Sequence, residues 1–155
     1  ELLVAITIFL VVMTIAAEIF MMGMGGAKRL YGRQNALGSA RFIMESMAKE
    51  IRMSTIATSP DESILDITSS KLSPPNIRYV FTGSGITRQQ GAGPASALNS
   101  AQTQITGGHF IVSKSGILQQ PRVTIIMTVK NVTAVPAQQV QINLQTTISS
   151  REYGQ

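Results

Sequence analysis

The sequence predicts an α+β fold in which a long N-terminal α-helix packs on a C-terminal antiparallel β-sheet. Three observations carry this reading. Residues 2–24 are almost continuously apolar, and apolar side chains recur at helical spacing over residues 30–51. The remainder breaks into short β-branched runs separated by Gly, Pro, Ser and Asn. Helix first and strands afterwards, without alternation, points to segregated α and β rather than to a parallel βαβ sheet.

The first element runs from Leu2 to Met24, interrupted only by Thr7, Thr14 and Glu18. As a helix it spans about 35 Å, enough to cross a hydrocarbon core of roughly 30 Å. A cleaved secretory signal fits poorly, because the apolar run is too long and no A-x-A site closes it. Gly23, Gly25 and Gly26 follow, and each glycine costs a helix about 1 kcal/mol relative to alanine. They predict a hinge that bends or unwinds, with close helix packing through small residues as the other reading. Residues 1–26 thus read as a membrane or filament-core segment ending in this hinge, residues 27–54 as an amphipathic helix, and residues 55–155 as the sheet.

In the amphipathic half, Leu30, Leu37, Met44 and Ile51 recur every seven residues, and Met47 follows Met44 by three. These five are expected to pack on the sheet, with Arg33, Arg41, Glu45, Lys49 and Arg52 on other faces. The helix should end near Ser54. A continuous rod from residue 2 to that point is about 75 Å long, so it must project from its own domain.

Among the strands, residues 63–68 form a weak one and residues 76–82 a clear one, with Ile86-Thr87-Arg88 as hairpin partner across Gly83-Ser84-Gly85. Gln89 to Gly108, uncharged and rich in Gly, Ala, Ser and Gln, reads as an exposed loop. His109 to Ser113 is a short strand and Val123 to Val129 a β-branched one. Val140, Ile142, Leu144, Thr146 and Ile148 alternate as a half-buried final strand, and Pro136 in the connection makes the last two a wide hairpin.

Composition narrows the function. Of 155 residues, 44% are apolar and 14% charged, against roughly a quarter charged in an ordinary soluble domain. The absence of cysteine excludes a disulfide scaffold. The net charge is +5, yet Arg78, Arg88, Lys114, Arg122, Lys130 and Arg151 stand singly, and only Lys28, Arg29 and Arg33 cluster. No specific motif supports nucleic acid as a partner. Hydrolytic triads and zinc sites need His, Cys or clustered carboxylates, and this chain has one His. His109 reads as a strand-edge residue. Asp61, Glu62 and Asp66 read as solvated acids, with a bound cation as the alternative. Neither Gly83-x-Gly85 nor Gly91-x-Gly93 carries the Lys-Ser/Thr of a phosphate loop. No catalytic residue, cofactor or metal site is expected.

The opening Glu1-Leu2-Leu3-Val4-Ala5-Ile6-Thr7-Ile8-Phe9-Leu10 resembles the N-terminal segment of type IV pilins and pseudopilins. The Ala-Ile-x-Ile-Phe wording, with Leu144 to Arg151 near the end, is most similar to the minor-pilin and J-type pseudopilin branch. The family's Phe-Thr-Leu-Ile opening and basic leader do not lie within these residues, and glycines stand where many members have a proline. The resemblance implies a structural subunit whose partners are copies of itself, other pilins, the assembly machinery, and a membrane before assembly. Glu1, Leu2, Leu3 and Phe9 would be the assembly residues, and the location a cell-surface filament with a cytoplasmic-membrane stage. Two alternatives stay open. One is a pseudopilin of a secretion or competence system. The other is a single-span anchor with a cytoplasmic binding domain, favoured by Lys28, Arg29 and Arg33 directly after the span.

Overall fold

The computed structural model describes residues 1–57, 61–113, 120–133 and 135–151. Lys114 lies outside them. The chain opens with one α-helix, α1 (Leu2–Arg52, 51 residues). Among the described residues eight strands follow: β1 (Thr55–Ile56), β2 (Ile64–Thr68), β3 (Asn76–Phe81), β4 (Ile86–Gln90), β5 (Ser96–Ala97), β6 (Thr103–Ser113), β7 (Arg122–Asn131) and β8 (Gln141–Ser149). They form two antiparallel sheets where one was expected. The first has the order β1-β2-β3-β4-β5 and the second β6-β7-β8.

Helix α1 is continuous through Gly23, Gly25 and Gly26, so the expected hinge is not unwound. An added Cβ at any of the three would meet nothing within 4 Å. With no neighbour competing for the backbone, the i→i−4 hydrogen bonds hold, and the glycine penalty lowers helix stability without breaking it.

The packing seam also departs from the expected one. Ala36, Ala40, Ile43, Met47 and Ile51 are fully buried, whereas Leu37 and Met44 are half-buried and Leu30 is 62% exposed. A strict seven-residue repeat drifts about 20° per heptad around a straight helix. Counted back from Ile51, Met44 therefore sits at the edge of the core, Leu37 further out, and Leu30 in the open. Two alanines, Ala36 and Ala40, share the true seam with Ile43, Met47 and Ile51.

That seam lies on β7 and β8. Strand β7 alternates cleanly, burying Val123, Ile125, Met127 and Val129, while Thr124, Ile126, Thr128 and Lys130 stay half-exposed. Cross-strand partners Ile148, Leu144 and Ile142 on β8 complete the face, opposite Val123, Met127 and Val129. The expected wide hairpin is this pair.

The Gln89 to Gly108 segment is a loop only in its middle: residues 91–102 are turn and irregular chain, mostly exposed, apart from β5, and the two ends are strand. Strand β4 runs on to Gln90, β5 adds a short edge, and β6 begins at Thr103 rather than at His109. Thr103 and Ile105 are buried, opposite Asn131 and Val129. Their alternation is short and set among Gln, Thr and Gly, and pairing with the long β7 settles it. A bulge between Ile105 and Gly107 precedes Gly108, whose missing Cβ leaves room for the Phe81 ring. There the two sheets meet, with the Phe81 and Phe110 centroids 4.6 Å apart.

The helix C-terminus is tied to the segment that follows β8. Ser54 Oγ donates to Glu50 O at 2.6 Å, Ser150 Oγ to Ser54 O at 2.6 Å, and Arg151 N to Arg52 O at 2.9 Å. The last-turn carbonyls of Glu50 and Arg52 thus find donors, one local and one from the far end of the chain.

Candidate functional site

Among the described residues no group of three His, Cys, Asp or Glu converges. The three acids of the β1–β2 region are separated by what they do. Asp61 Oδ1 accepts the Ser63 N–H at 2.8 Å, which holds its carboxyl below the usual carboxylate range. The Glu62 backbone carbonyl accepts the Phe110 N–H at 2.6 Å, helping to join the sheets. Asp66 faces Arg78 across β2 and β3 and takes a two-pronged contact at 2.7 and 2.9 Å, which raises the guanidinium above its ordinary value. His109 sits half-exposed on β6, an edge strand.

One polar constellation escaped the sequence reading. Glu50, in the last turn of α1, accepts a hydrogen bond from the Tyr79 hydroxyl of β3. Arg88 of β4 donates its Nε to the same carboxylate at 3.1 and 3.2 Å, and its terminal nitrogen lies 3.0 Å from Oε1. Burial first, and then the bond to Glu50, push the Tyr79 phenol far above its ordinary value. The Glu50 bond likewise raises Arg88. The group clamps α1 to the first sheet, while the apolar seam binds α1 to the second. Nothing in the sequence spacing links residues 50, 79 and 88; only the topology does.

A second overlooked position is Gly32. A Cβ there would lie 2.5 Å from the Asn131 amide nitrogen. Asn131 is buried, donates to Gln138 O at 3.1 Å and accepts the Val140 N–H at 2.6 Å, so it fastens the β7–β8 connection beneath the helix.

The largest chemical feature is the surface of the first half of α1. Every residue from Leu2 to Met24 is exposed, and the helix is long and apolar enough to cross a membrane. The expected assembly residues belong to this surface: Leu2, Leu3 and Phe9 are 74%, 81% and 60% exposed. Glu1 takes the N-cap position without a capping bond from its side chain, and its carbonyl accepts the Ala5 N–H at 3.1 Å. The Thr7 and Thr14 hydroxyls donate to Leu3 O and Leu10 O at 2.5 and 2.8 Å, so both are satisfied inside the helix. Such a surface is far larger than the few hundred Å² of contiguous apolar patch an ordinary monomer leaves in water. A surface of this kind is consistent with a membrane or protein contact.

Where α1 enters the folded part, a groove of about 730 Å³ opens between the helix and the start of β8. Gly26, Arg29, Leu30 and Arg33 form one wall, and Val140, Gln141, Ile142 and Asn143 the other. Leu30, expected in the helix–sheet core, lines this groove instead. No protein-family model, curated protein or solved structure matches the chain.

Proposed function

We propose that this chain is a structural subunit of a type IV pilus-like filament, held in a membrane by residues 2–24 and polymerised through that same helix. The observation that carries the reading is the uncovered apolar half of a 51-residue helix whose other half is built into a β domain. Such a helix can exchange lipid for neighbouring helices. The driving force is packing, because lipid tails are as apolar as the side chains. The resemblance of Glu1 to Leu10 supports the same reading, with copies of the chain, other pilins and an assembly machinery as partners. The finished fibre would lie outside the cell and serve adhesion, motility or DNA uptake.

A second reading rests on Lys28, Arg29 and Arg33, which favour a single-span anchor with a cytoplasmic domain. Removing detergent from the purified chain tests the choice. Ordered fibres in electron micrographs are expected; monodisperse particles or amorphous aggregate would refute the filament reading. Long fibres on cells would in turn separate a pilus from a pseudopilin.

A further inference from the structure

We infer that Glu18 and the groove flanked by Arg29 and Arg33 are the two halves of one contact between copies of this chain. The inference rests on the filament reading and adds to it a specific pairing.

Glu18 is the only charged residue between Glu1 and Lys28. It is exposed on the apolar half of α1. An ionised carboxylate is costly in lipid or in a helix bundle unless a cation meets it. No cation of its own helix reaches it. Its neighbours one turn away are Thr14, Ile15, Met21 and Met22. Lys28 and Arg29 lie about 15–17 Å further along the axis. The partner must come from elsewhere.

The groove supplies the complement. Leu30, Val140 and Ile142 give it an apolar lining, and Arg29 and Arg33 stand on the helix wall. They are spaced i and i+4, on one face, and among the described residues neither joins an ion pair. Two adjacent guanidinium groups favour a carboxylate between them, which they can grip with planar, paired donors. The required occupant is an apolar ridge carrying a single acid. The chain presents one: Val11, Ile15, Glu18 and Met22 share a helix face. A second copy displaced along the axis by about 16–23 Å brings Glu18 level with Arg29 to Arg33.

The chain has no cysteine, so a single introduced thiol reports cleanly. Glu18→Cys and Arg33→Cys subunits, mixed, assembled by detergent removal and oxidised, should give a cross-linked dimer that neither variant gives alone. Independently, Glu18→Arg should raise the concentration needed for assembly roughly tenfold to a hundredfold, as should Arg29→Glu with Arg33→Glu. Combining the reversals should restore it. Fibres that form normally from either reversed variant, or a mixture that assembles without cross-linking, would overturn the pairing and leave the filament reading intact. Wild-type chain that never assembles would overturn both. If the arginine variant assembles normally but loses binding to anionic vesicles, the arginines are ligands for lipid headgroups and the pairing is wrong.

Discussion

The two halves of α1 are both rich in apolar residues and have opposite fates. Residues 2–24 carry the larger aliphatic and aromatic side chains, and all are exposed. Between Ala36 and Ile51 a thinner set is buried completely, and two of its members are alanines. Apolar content alone therefore does not identify what a helix buries within its own chain. Complementarity with a sheet does, and it selects a stripe that includes small residues. The all-round apolar half has no such stripe, and no described residue of the chain covers it.

The largest effect should come from breaking the buried half. Met47→Ala removes a fully buried core side chain and should cost about 2–5 kcal/mol. Leu10→Ala, in the exposed half, should leave the unfolding of the β domain unchanged. Denaturant titrations in detergent, read by a probe in the sheets, check both. Equal destabilisation by the two would erase the distinction.

Next in size is the clamp that fixes the buried half to the first sheet. Tyr79→Phe removes a hydrogen bond to the Glu50 carboxylate and should cost about 1.5–3 kcal/mol at neutral pH. The pH dependence has a definite sign. The folded state raises the Tyr79 pKa, so it favours the protonated phenol. That contribution is complete below the unfolded value of about 10 and is lost as pH rises beyond it, by about 1.4 kcal/mol per pH unit. Wild type should lose stability faster than Tyr79→Phe between about pH 10 and 12. Parallel curves would show that the phenol does not carry the effect.

Much of the fold was legible because periodicity survives packing. The β7 and β8 alternation, the β3–β4 hairpin and the helix end near Ser54 all stand within a few residues of the expected positions. What was not legible depended on partners distant in sequence. Thr103 and Ile105 become strand residues through pairing with β7. Glu50, Tyr79 and Arg88 converge only after the helix is laid across both sheets. At the candidate site, the exposed apolar surface was visible from composition. The groove was not, because it needs Arg29 and Arg33 brought beside Val140 to Asn143.

Glycines along α1 sharpen the contrast further. Gly32 sits against Asn131, whereas Gly23, Gly25 and Gly26 face open space. Gly32→Ala gains about 1 kcal/mol of helix propensity but displaces the amide that holds Gln138 O and Val140 N. Disturbing those buried bonds costs about 1–3 kcal/mol, so the net effect should be destabilising by about 1 kcal/mol. A stabilised Gly32→Ala variant would show that Asn131 moves aside freely.

The smallest effect belongs to the other three glycines, and it decides what they do. Their backbone is helical and their surroundings are empty, so alanine meets no obstacle at any of them. Each Gly→Ala replacement should then stabilise the local helix by about 0.5–1 kcal/mol, with no change in the unfolding of the sheets. The readout is amide exchange of residues 19–30 in detergent, where opening is local and reports local stability. Exchange should slow about two- to fivefold per replacement, the factor that such an energy implies. If exchange in the wild type is already as slow as in the alanine variants, the glycines do not weaken the rod. Their value would then lie in close approach by a neighbouring helix, and the same substitutions would impair assembly instead. Slower local opening in the alanine variants with normal assembly, or unchanged opening with impaired assembly, separates a soft joint from a packing surface.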